Sequence, residues 1–436
     1  MLSRLKVGWI FIVVLVAIPL LIWANMMPLA DRFSNSTSIL LNIGRAAGII
    51  AVTLYSINLI LSTRLSIFED MFGGLNKVFF AHHLVGGIAL CIVLLHPVTV
   101  ALSYAGGSIY QSAKLLTPFA TNLETTFGIL GMYLFVLLMI ITFFIYIPYR
   151  AWLLTHKFLG AAFILIALHV TFISSDTQNS LALRTYLLTL LLAGIVAYTY
   201  RTLLPRFLVR RYSYKVDSVE KLNKDVVSIN LKPNTRGIDF KPGQFVFVQF
   251  KKEGLPGDWH PFSISSNSPK TGLQITVKSL GELTSKLVEQ GSDLDGTEVL
   301  VEGSYGRFNF KHFQTKKQIW IAGGIGITPF LGMAKDVRGD YKVNLFYSVK
   351  NREEFVEFEE LKRLAEKSGG ALNLIPVVSE KDGLLDASKV KNAVGDIDGS
   401  EILICGPPPM MKELKEQFKD SGIKSKYIHT EEFNTT

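Results

Sequence analysis

The 436-residue chain carries eight histidines, and five of them fall within or at the ends of two apolar stretches. The first stretch reads Phe80-Ala81-His82-His83-Leu84-Val85-Gly86 and, further on, Leu95-His96-Pro97. The second reads Leu154-Thr155-His156-Lys157-Phe158-Leu159-Gly160, then Leu168-His169-Val170. Ionisable side chains at membrane depth are costly, so they mark functional positions by default. The plain alternative is that each ring hydrogen-bonds a neighbouring helix. Two pairs at nearly the same spacing favour a shared chemical task. His82 and His96 are 14 residues apart, close to four helical turns, so they point the same way and stand about 21 Å apart along the axis. His83 is 13 residues from His96 and sits well round the helix from it, which leaves it a supporting or structural residue. His156 and His169 are also 13 apart. A straight helix does not align them, so that helix needs a local distortion or its two ligands approach from different angles. The chemistry these spacings suit is bis-imidazole ligation of two haem irons, His82 with His156 on one level and His96 with His169 on the other. Ligand identity and burial tune the potential of such irons. Zinc is the rival metal for histidine clusters, but ligands about 21 Å apart cannot share one ion.

These residues need a membrane bundle to position them. A hydrocarbon core of about 30 Å takes roughly 20 apolar residues per helix. Six stretches qualify, from Val7 to Met27, Ile39 to Leu61, Val78 to Leu102, Phe127 to Ile147, Trp152 to Ile173 and Leu183 to Leu204. The first is preceded by Arg4 and Lys6 but has no small-residue cleavage site before Asp31, so it is expected to stay as a helix. Arg4, Lys6, Arg64, Lys77, Arg150, Lys157, Arg201, Arg206, Arg210 and Arg211 all fall on one side of this arrangement. The other side has Arg32, Lys114 and Arg184, and the loop Ser174–Ser180 has no basic residue. By the positive-inside rule the N-terminus and everything after the sixth span are cytoplasmic, and the chain sits as a multi-pass protein in the cell membrane. The third and fifth spans then run outward together, with His82 and His156 inner and His96 and His169 outer. Arg45, in Gly44-Arg45-Ala46-Ala47-Gly48 near the outer end of the second span, is either a snorkelling arginine or a partner for a haem propionate or an anionic acceptor.

Composition supports the division. Hydrophobic residues make up 49% and charged residues 19%, against about 25% charged in soluble chains. Residues 1–204 hold 11 basic and 5 acidic residues, while residues 205–436 hold 34 and 31. The net charge of +9 is largely topology charge and implies no nucleic-acid partner. Cys91 and Cys405 are the only cysteines, too few for an iron–sulfur cluster or a cysteine zinc site, and no disulfide is expected.

After Pro205 the pattern changes to strands at Tyr212–Val219, Val226–Leu231, Phe245–Phe250 and Leu273–Val277, which suggest a small antiparallel barrel. Within it lies His260-Pro261-Phe262-Ser263-Ile264-Ser265-Ser266, followed by Val277-Lys278-Ser279-Leu280-Gly281-Glu282-Leu283-Thr284. Lys278 can neutralise phosphate, Gly281 permits close backbone approach, and Thr284 is expected to begin a helix whose amides favour anions. A glycine turn, Gly323-Gly324-Ile325-Gly326-Ile327-Thr328-Pro329, then joins the strand Gln318–Ala322 to a helix from Phe330 to about Val337. Such a turn cradles a pyrophosphate. Strands at Val343–Val349, Leu372–Val378 and Ile402–Cys405 alternate with helices at Glu357–Lys367 and Pro409–Asp420, a doubly wound parallel order.

In these segments the chain resembles the NADPH oxidase and ferric reductase family, part of the wider ferredoxin–NADP reductase superfamily, in a bacterial-type form. The resemblance implies that His260, Pro261, Phe262 and Ser263 bind FAD, that Lys278, Gly281 and Thr284 follow along it, and that Gly303-Ser304-Tyr305-Gly306 is the turn closing the barrel. It implies that Gly324, Gly326, Thr328 and Pro329 form the proline version of the nucleotide turn. It places Cys405-Gly406-Pro407-Pro408-Pro409-Met410 beside the nicotinamide and the near-terminal Phe433 on the flavin, where Phe433 and Cys405 flank the hydride path. Ser348, Lys350 and Arg352 follow the second parallel strand with no Asp or Glu at its end, so a 2′-phosphate is favoured and NADPH is expected over NADH.

The expected architecture is a six-helix membrane bundle over residues 1–204, an antiparallel β-barrel FAD domain over 205–312 and a doubly wound α/β NAD(P)-binding domain over 313–436. The resemblance implies stepwise transfer from cytoplasmic NADPH to FAD, then to the inner and outer haems, then to oxygen or a ferric chelate at the outer face. No EF-hand loop is present, so no calcium gating is expected. Two alternatives stay open: a membrane reductase subunit serving a partner protein or quinone, and a flavin reductase merely tethered by its helices. No feature points to a partner subunit.

Overall fold

The computed structural model describes residues 4–106, 108–119, 122–313 and 315–432. It divides into two compact units, Met1–Val209 and Arg210–Thr436.

Among the described residues of the first unit, six helices are long and apolar enough to cross a membrane: Val7–Ala24, Ser36–Leu61, Leu75–Tyr104, Leu123–Phe144, Tyr149–Phe172 and Leu181–Leu203. Helices satisfy their backbone groups internally, which lipid demands. Small residues let these helices pack closely. A Cβ at Gly44 would stand 2.6 Å from Thr99 Oγ1 on the third span, and one at Gly131 would stand 2.9 Å from Ile166 Cγ1 on the fifth. The buried Tyr55 hydroxyl donates to the Leu159 carbonyl at 2.6 Å and ties the second span to the fifth. Its ring packs on Phe135 and Phe163, with centroids 4.7 and 5.0 Å away.

The fifth span is not one straight helix. It runs as Tyr149–Lys157 and Leu159–Phe172, and Phe158 stands between the two pieces with φ −68° and ψ −11°. The break falls between His156 and His169.

The second unit holds two sheets. Strands β1 (Tyr212–Lys221), β2 (Val226–Pro233), β3 (Phe245–Lys251), β4 (His260–Ser263), β5 (Leu273–Lys278) and β6 (Glu298–Tyr305) form an antiparallel sheet in the order β4-β3-β6-β1-β2-β5. A bridge between Ile264 and Ile275 brings its two ends together, and Ser265 N–H donates to the Gln274 carbonyl at 2.8 Å. The sheet is therefore a closed small barrel. Inward residues such as Val227, Ile229, Val246, Val248, Val299 and Val301 fill it.

Strands β7 (Lys317–Gly323), β8 (Lys342–Val349), β9 (Leu372–Val378), β10 (Glu401–Cys405) and β11 (Ile428–Glu431) form a parallel sheet in the order β11-β10-β7-β8-β9. Strand β7 is buried from Gln318 to Gly323, as a central parallel strand must be. The order reverses between β7 and β10. That reversal is a topological switch point, where ligands bind open α/β sheets.

Strands β4, β6 and β11 are absent from the set expected by alternation. Two of them have four residues each, too short for a period to register. The helix after Lys278 begins at Glu282, with Gly281 as its N-cap, so Thr284 is its third residue and does not open it. The helix after the glycine turn spans Thr328–Ala334.

Candidate functional site

The third span carries His82 and His96 through one continuous helix. His82 faces His156 with ring centroids 6.2 Å apart and planes at 62°. His96 faces His169 at 6.3 Å and 63°. Thirteen residues of straight helix would leave His156 and His169 out of phase. The helix is interrupted at Phe158, which is the local distortion, one of the two resolutions that the spacing left open. His83 is exposed, and its ring lies 5.9 Å from His82.

The rings are oriented through their Nδ1 atoms. His96 Nδ1 lies 2.8 Å from the Gly44 carbonyl, His169 Nδ1 2.8 Å from the Glu124 carbonyl and His82 Nδ1 3.0 Å from the Asn58 carbonyl. A carbonyl only accepts, so in each case Nδ1 carries the proton and Nε2 keeps its lone pair for a metal. His156 differs. Its Nδ1 meets the Thr142 hydroxyl at 3.5 Å, and its ring stacks on Trp152 at 4.9 Å.

These couples fit a haem iron. Two metal–imidazole bonds of about 2 Å each, with two ring radii of about 1 Å, put centroids about 6 Å apart. Among the described residues no group of three or more His, Cys, Asp or Glu converges on a common point. Each couple thus offers two ligands, the number needed by an ion that takes the rest from a macrocycle. A cavity of about 480 Å³ adjoins the second couple and is lined by His96, His169, Gly48, Gly128, Arg45 and Asp176 among others. A Cβ at Gly48 would stand 2.7 Å from His96 Nδ1, so a glycine is needed there.

Arg45 forms an ion pair with Asp176 at 2.8 Å on the wall of this cavity. Asp176 also accepts from Trp23 Nε1 at 2.7 Å and from the buried Arg32 at 3.4 Å. The sequence reading did not single out Asp176, Arg32 or Trp23. The one signal was Asp176 itself, an acidic residue alone in a loop that has no basic one.

In the barrel, His260 and Pro261 are half-buried on β4, while Phe262 and Ser263 are buried. Phe262 packs into the barrel core, so its side chain serves the fold. Among the described residues, the buried His260 Nε2 has no hydrogen-bond partner. Burial lowers the His260 pKa, and Asp258 opposes that shift. An orphaned ring nitrogen on the strand beside the barrel closure fits a site that takes a polar ring edge. Lys278 closes β5, half-buried. The Thr284 hydroxyl accepts from Leu280 N–H and Gly281 N–H, each at 2.9 Å, and so organises the turn. Gly306, after the Gly303-Ser304-Tyr305 segment, has φ +94° and offers its carbonyl to Gln244 Nε2 at 3.1 Å.

At the switch point the two sequence turns meet back to back. Gly324 has φ +52°, a conformation that favours glycine. A Cβ at Gly326 would stand 2.3 Å from the Cys405 carbonyl oxygen, and one at Gly406 would stand 3.0 Å from Gly323 Cα. Met410 and Pro407 pack against Gly323, and the Thr328 hydroxyl donates to the Ile325 carbonyl at 3.1 Å ahead of Pro329. Cys405 is fully buried, and burial together with Glu431 pushes its thiol pKa well up, so it is neutral. Ser348 is half-buried near the end of β8. Lys350 and Arg352 are exposed just beyond it, and Lys350 lies 3.9 Å from Glu380. Phe433 lies outside the described residues; the strand leading toward it ends at Glu431, opposite Cys405.

Comparison with known proteins gives each part a counterpart. Residues 47–167 match the ferric reductase like transmembrane component, residues 211–309 an FAD-binding domain and residues 320–416 an oxidoreductase NAD-binding domain. The glycine betaine monooxygenase reductase subunit of Chromohalobacter salexigens is 27% identical over 212 residues, which cover 45% of this chain and 57% of that protein. Ferric reduction oxidase 3, mitochondrial, of Arabidopsis thaliana is 32% identical over 138 residues, covering 30% of this chain and 19% of that protein. The chain thus spans less than two thirds of the length of either relative. Among solved structures, a flavohemoglobin from Malassezia yamatoensis aligns with a TM-score of 0.51 at 19% identity, covering 92% of this chain and 98% of that one. That likeness concerns the fold alone.

Proposed function

Since the chain has the ferric reductase and NADPH oxidase type of architecture, an oxidoreductase with a membrane bundle ahead of FAD-binding and NAD-binding domains, we propose that it is a transmembrane flavocytochrome b. It moves electrons from cytoplasmic NADPH, by way of FAD and two haems, to a small acceptor on the outer face. The observation that carries this reading is the pair of facing imidazole couples at 6.2 and 6.3 Å. When bound, FAD supplies the conversion of a two-electron hydride into single electrons, and haem iron supplies one-electron carriage.

The chain's own residues do the placing. His82 and His156 would hold the inner haem through Nε2, and His96 and His169 the outer one. The carbonyls of Asn58, Gly44 and Glu124 fix three of the rings in the ligating tautomer. Tyr55 and Phe135 give the cavity apolar walls. His260, Pro261, Phe262 and Ser263 form the strand on which the flavin would lie, the first and last through polar atoms and Phe262 by bracing the strand from beneath. Lys278 would offset cofactor phosphate, with Gly281 and Thr284 shaping the turn. Gly324 and Gly326, ahead of Thr328 and Pro329, leave room for the nucleotide backbone. Ser348, Lys350 and Arg352 would meet a 2′-phosphate, which favours NADPH. Cys405, neutral and buried, forms with Gly406, Pro407 and Met410 the wall beside the nicotinamide, and Phe433 would cover the flavin. The three domains would divide at residues 204/205 and 312/313. The basic loops orient the N-terminus and the C-terminal unit to the cytoplasm.

The acceptor is oxygen or a ferric chelate. The purified chain in liposomes, given FAD and NADPH on one side, should produce superoxide or ferrous iron on the other. The similarity of the C-terminal half to reductase components such as that of glycine betaine monooxygenase favours a second reading, transfer to a partner protein or quinone. NADPH consumption that begins only when a partner is added would contradict the first reading and establish the second.

A further inference from the structure

The break in the fifth span redirects its backbone hydrogen bonds. A continuous helix would give the Ala161 N–H to the Lys157 carbonyl, four residues back. Instead Ala161 N–H donates to the Phe158 carbonyl at 2.9 Å, and Phe158 N–H donates to the Thr155 carbonyl at 3.0 Å. The Lys157 carbonyl loses that helical partner, and a carbonyl left unmet at membrane depth is costly.

Two hydroxyl groups from other spans meet the carbonyls on either side of the break. The Tyr198 hydroxyl, on the sixth span, donates to the Lys157 carbonyl at 3.0 Å. The Tyr55 hydroxyl, on the second span, donates to the Leu159 carbonyl at 2.6 Å. Gly160 makes the place for the Tyr198 ring: a Cβ there would stand 2.0 Å from Tyr198 Cε2 and Cζ. Tyr55 is buried, with its ring packed on Phe135 and Phe163.

The two pieces of the span are held unequally. The outer piece buries Leu159, Gly160, Ala162, Phe163 and Ala167, and it meets the fourth span closely at Gly128 and Gly131. Every residue of the inner piece, Tyr149–Lys157, is exposed or half-buried. Its rotation is therefore governed more by the joint at Phe158 than by packing. In a straight helix thirteen residues would leave His156 about 140° round from His169. Yet both rings face the third span, 6.2 Å from His82 and 6.3 Å from His96.

We propose that Tyr55 and Tyr198 are positioning residues: they cap the carbonyls flanking Phe158, hold the break, and so keep His156 turned to the third span. Gly160 serves the same end by seating the Tyr198 ring. The inference rests on the reading that His156 and His169 are iron ligands.

The test uses the full-length protein in detergent. Electron paramagnetic resonance of the oxidised protein reads the angle between paired imidazole planes at each low-spin iron. The inner signal is identified in His96→Ala protein, which keeps that haem alone. Tyr55→Phe and Tyr198→Phe should each move the inner signal and leave the outer one in place. The double variant should lose the inner haem. Gly160→Ala should act as Tyr198→Phe does, and should add nothing in Tyr198→Ala protein, where the displaced ring is already gone. Thermal melting checks folding, and if the double variant fails to fold, the single variants decide. A second readout needs no haem. Leu154 is 59% exposed on the inner piece and lies about 200° round from His156, so turning the ring away turns Leu154 inward. Leu154→Cys, in Cys91→Ser protein, should react with a maleimide severalfold more slowly once either tyrosine hydroxyl is removed. Inner and outer signals that move together would overturn the proposal. So would a lowered melting temperature with signals and labelling unmoved, which would reduce the tyrosines to ties between spans. Haem-free wild type would instead refute the ligand reading, and the labelling rates would then decide the role of the tyrosines alone.

Discussion

Gly128 and His169 stand so close that a Cβ built at the glycine would lie 2.8–3.0 Å from three atoms of the imidazole ring. The fourth and fifth spans meet there, and the missing side chain is the space the ring occupies. Gly48 does the same for His96 on the second span. Both rings of this couple are thus held in slots, each with its Nδ1 on a carbonyl of the adjoining helix.

Gly128→Leu is therefore expected to displace His169 and abolish the outer haem. Haem content, measured as the pyridine complex, should fall from two per chain to one. NADPH-driven flavin bleaching should persist, because the change lies in the membrane unit. Unchanged haem content would show that His169 does not need this slot.

His260 gives the barrel a pH dependence. Burial lowers its folded pKa, with Asp258 opposing, while the unfolded value is about 6.5. Below that value the unfolded chain binds a proton more readily than the folded one, so stability falls as pH drops toward the folded pKa and then levels off. The barrel's melting temperature should drop between pH 7 and pH 5, and His260→Asn should flatten that slope. Parallel profiles for the two proteins would exclude His260 as the source.

Cys405 should be inert to alkylation. Its thiol is fully buried, with its pKa pushed up by burial and Glu431. Only the thiolate reacts. Iodoacetamide at pH 8 should leave Cys405 unmodified in the native protein and label it fully after denaturation, as read by peptide mass spectrometry. Native labelling would mean that the end of β10 opens in solution.

The fold was legible where the sequence carries a long-period signal. Six runs of about 20 apolar residues gave the six spans, and the βαβ alternation gave the doubly wound sheet. Short strands were not: β4 and β11 have four residues each, and β6 ends in a Gly-Ser-Tyr segment that reads as a turn. At the site, the four histidine positions were visible because ionisable residues stand out in hydrocarbon. The break at Phe158 was one of two ways to reconcile the phase of His156 and His169, and it had no local signature, since Phe158 is neither proline nor glycine. The Arg45–Asp176 pair joins residues 131 apart, and nothing in either neighbourhood announces a partner at that distance.

Discrimination between nucleotides should follow the cations beyond β8. Arg352 is exposed there, and Lys350 is partly offset by Glu380 at 3.9 Å. Arg352→Ala should lower kcat/KM for NADPH about tenfold, roughly 1.4 kcal/mol, and leave NADH nearly unchanged. Equal losses for both nucleotides would remove the 2′-phosphate from the account.

The haem stoichiometry of the purified chain tests the central claim most directly. The full-length protein should be red, with two b-type haems and one flavin per chain. His96→Ala and His169→Ala should each remove one and the same haem, while His82→Ala and His156→Ala each remove the other. A yellow protein that carries flavin alone, or a histidine variant that keeps both haems, would contradict the assignment of these couples as iron ligands.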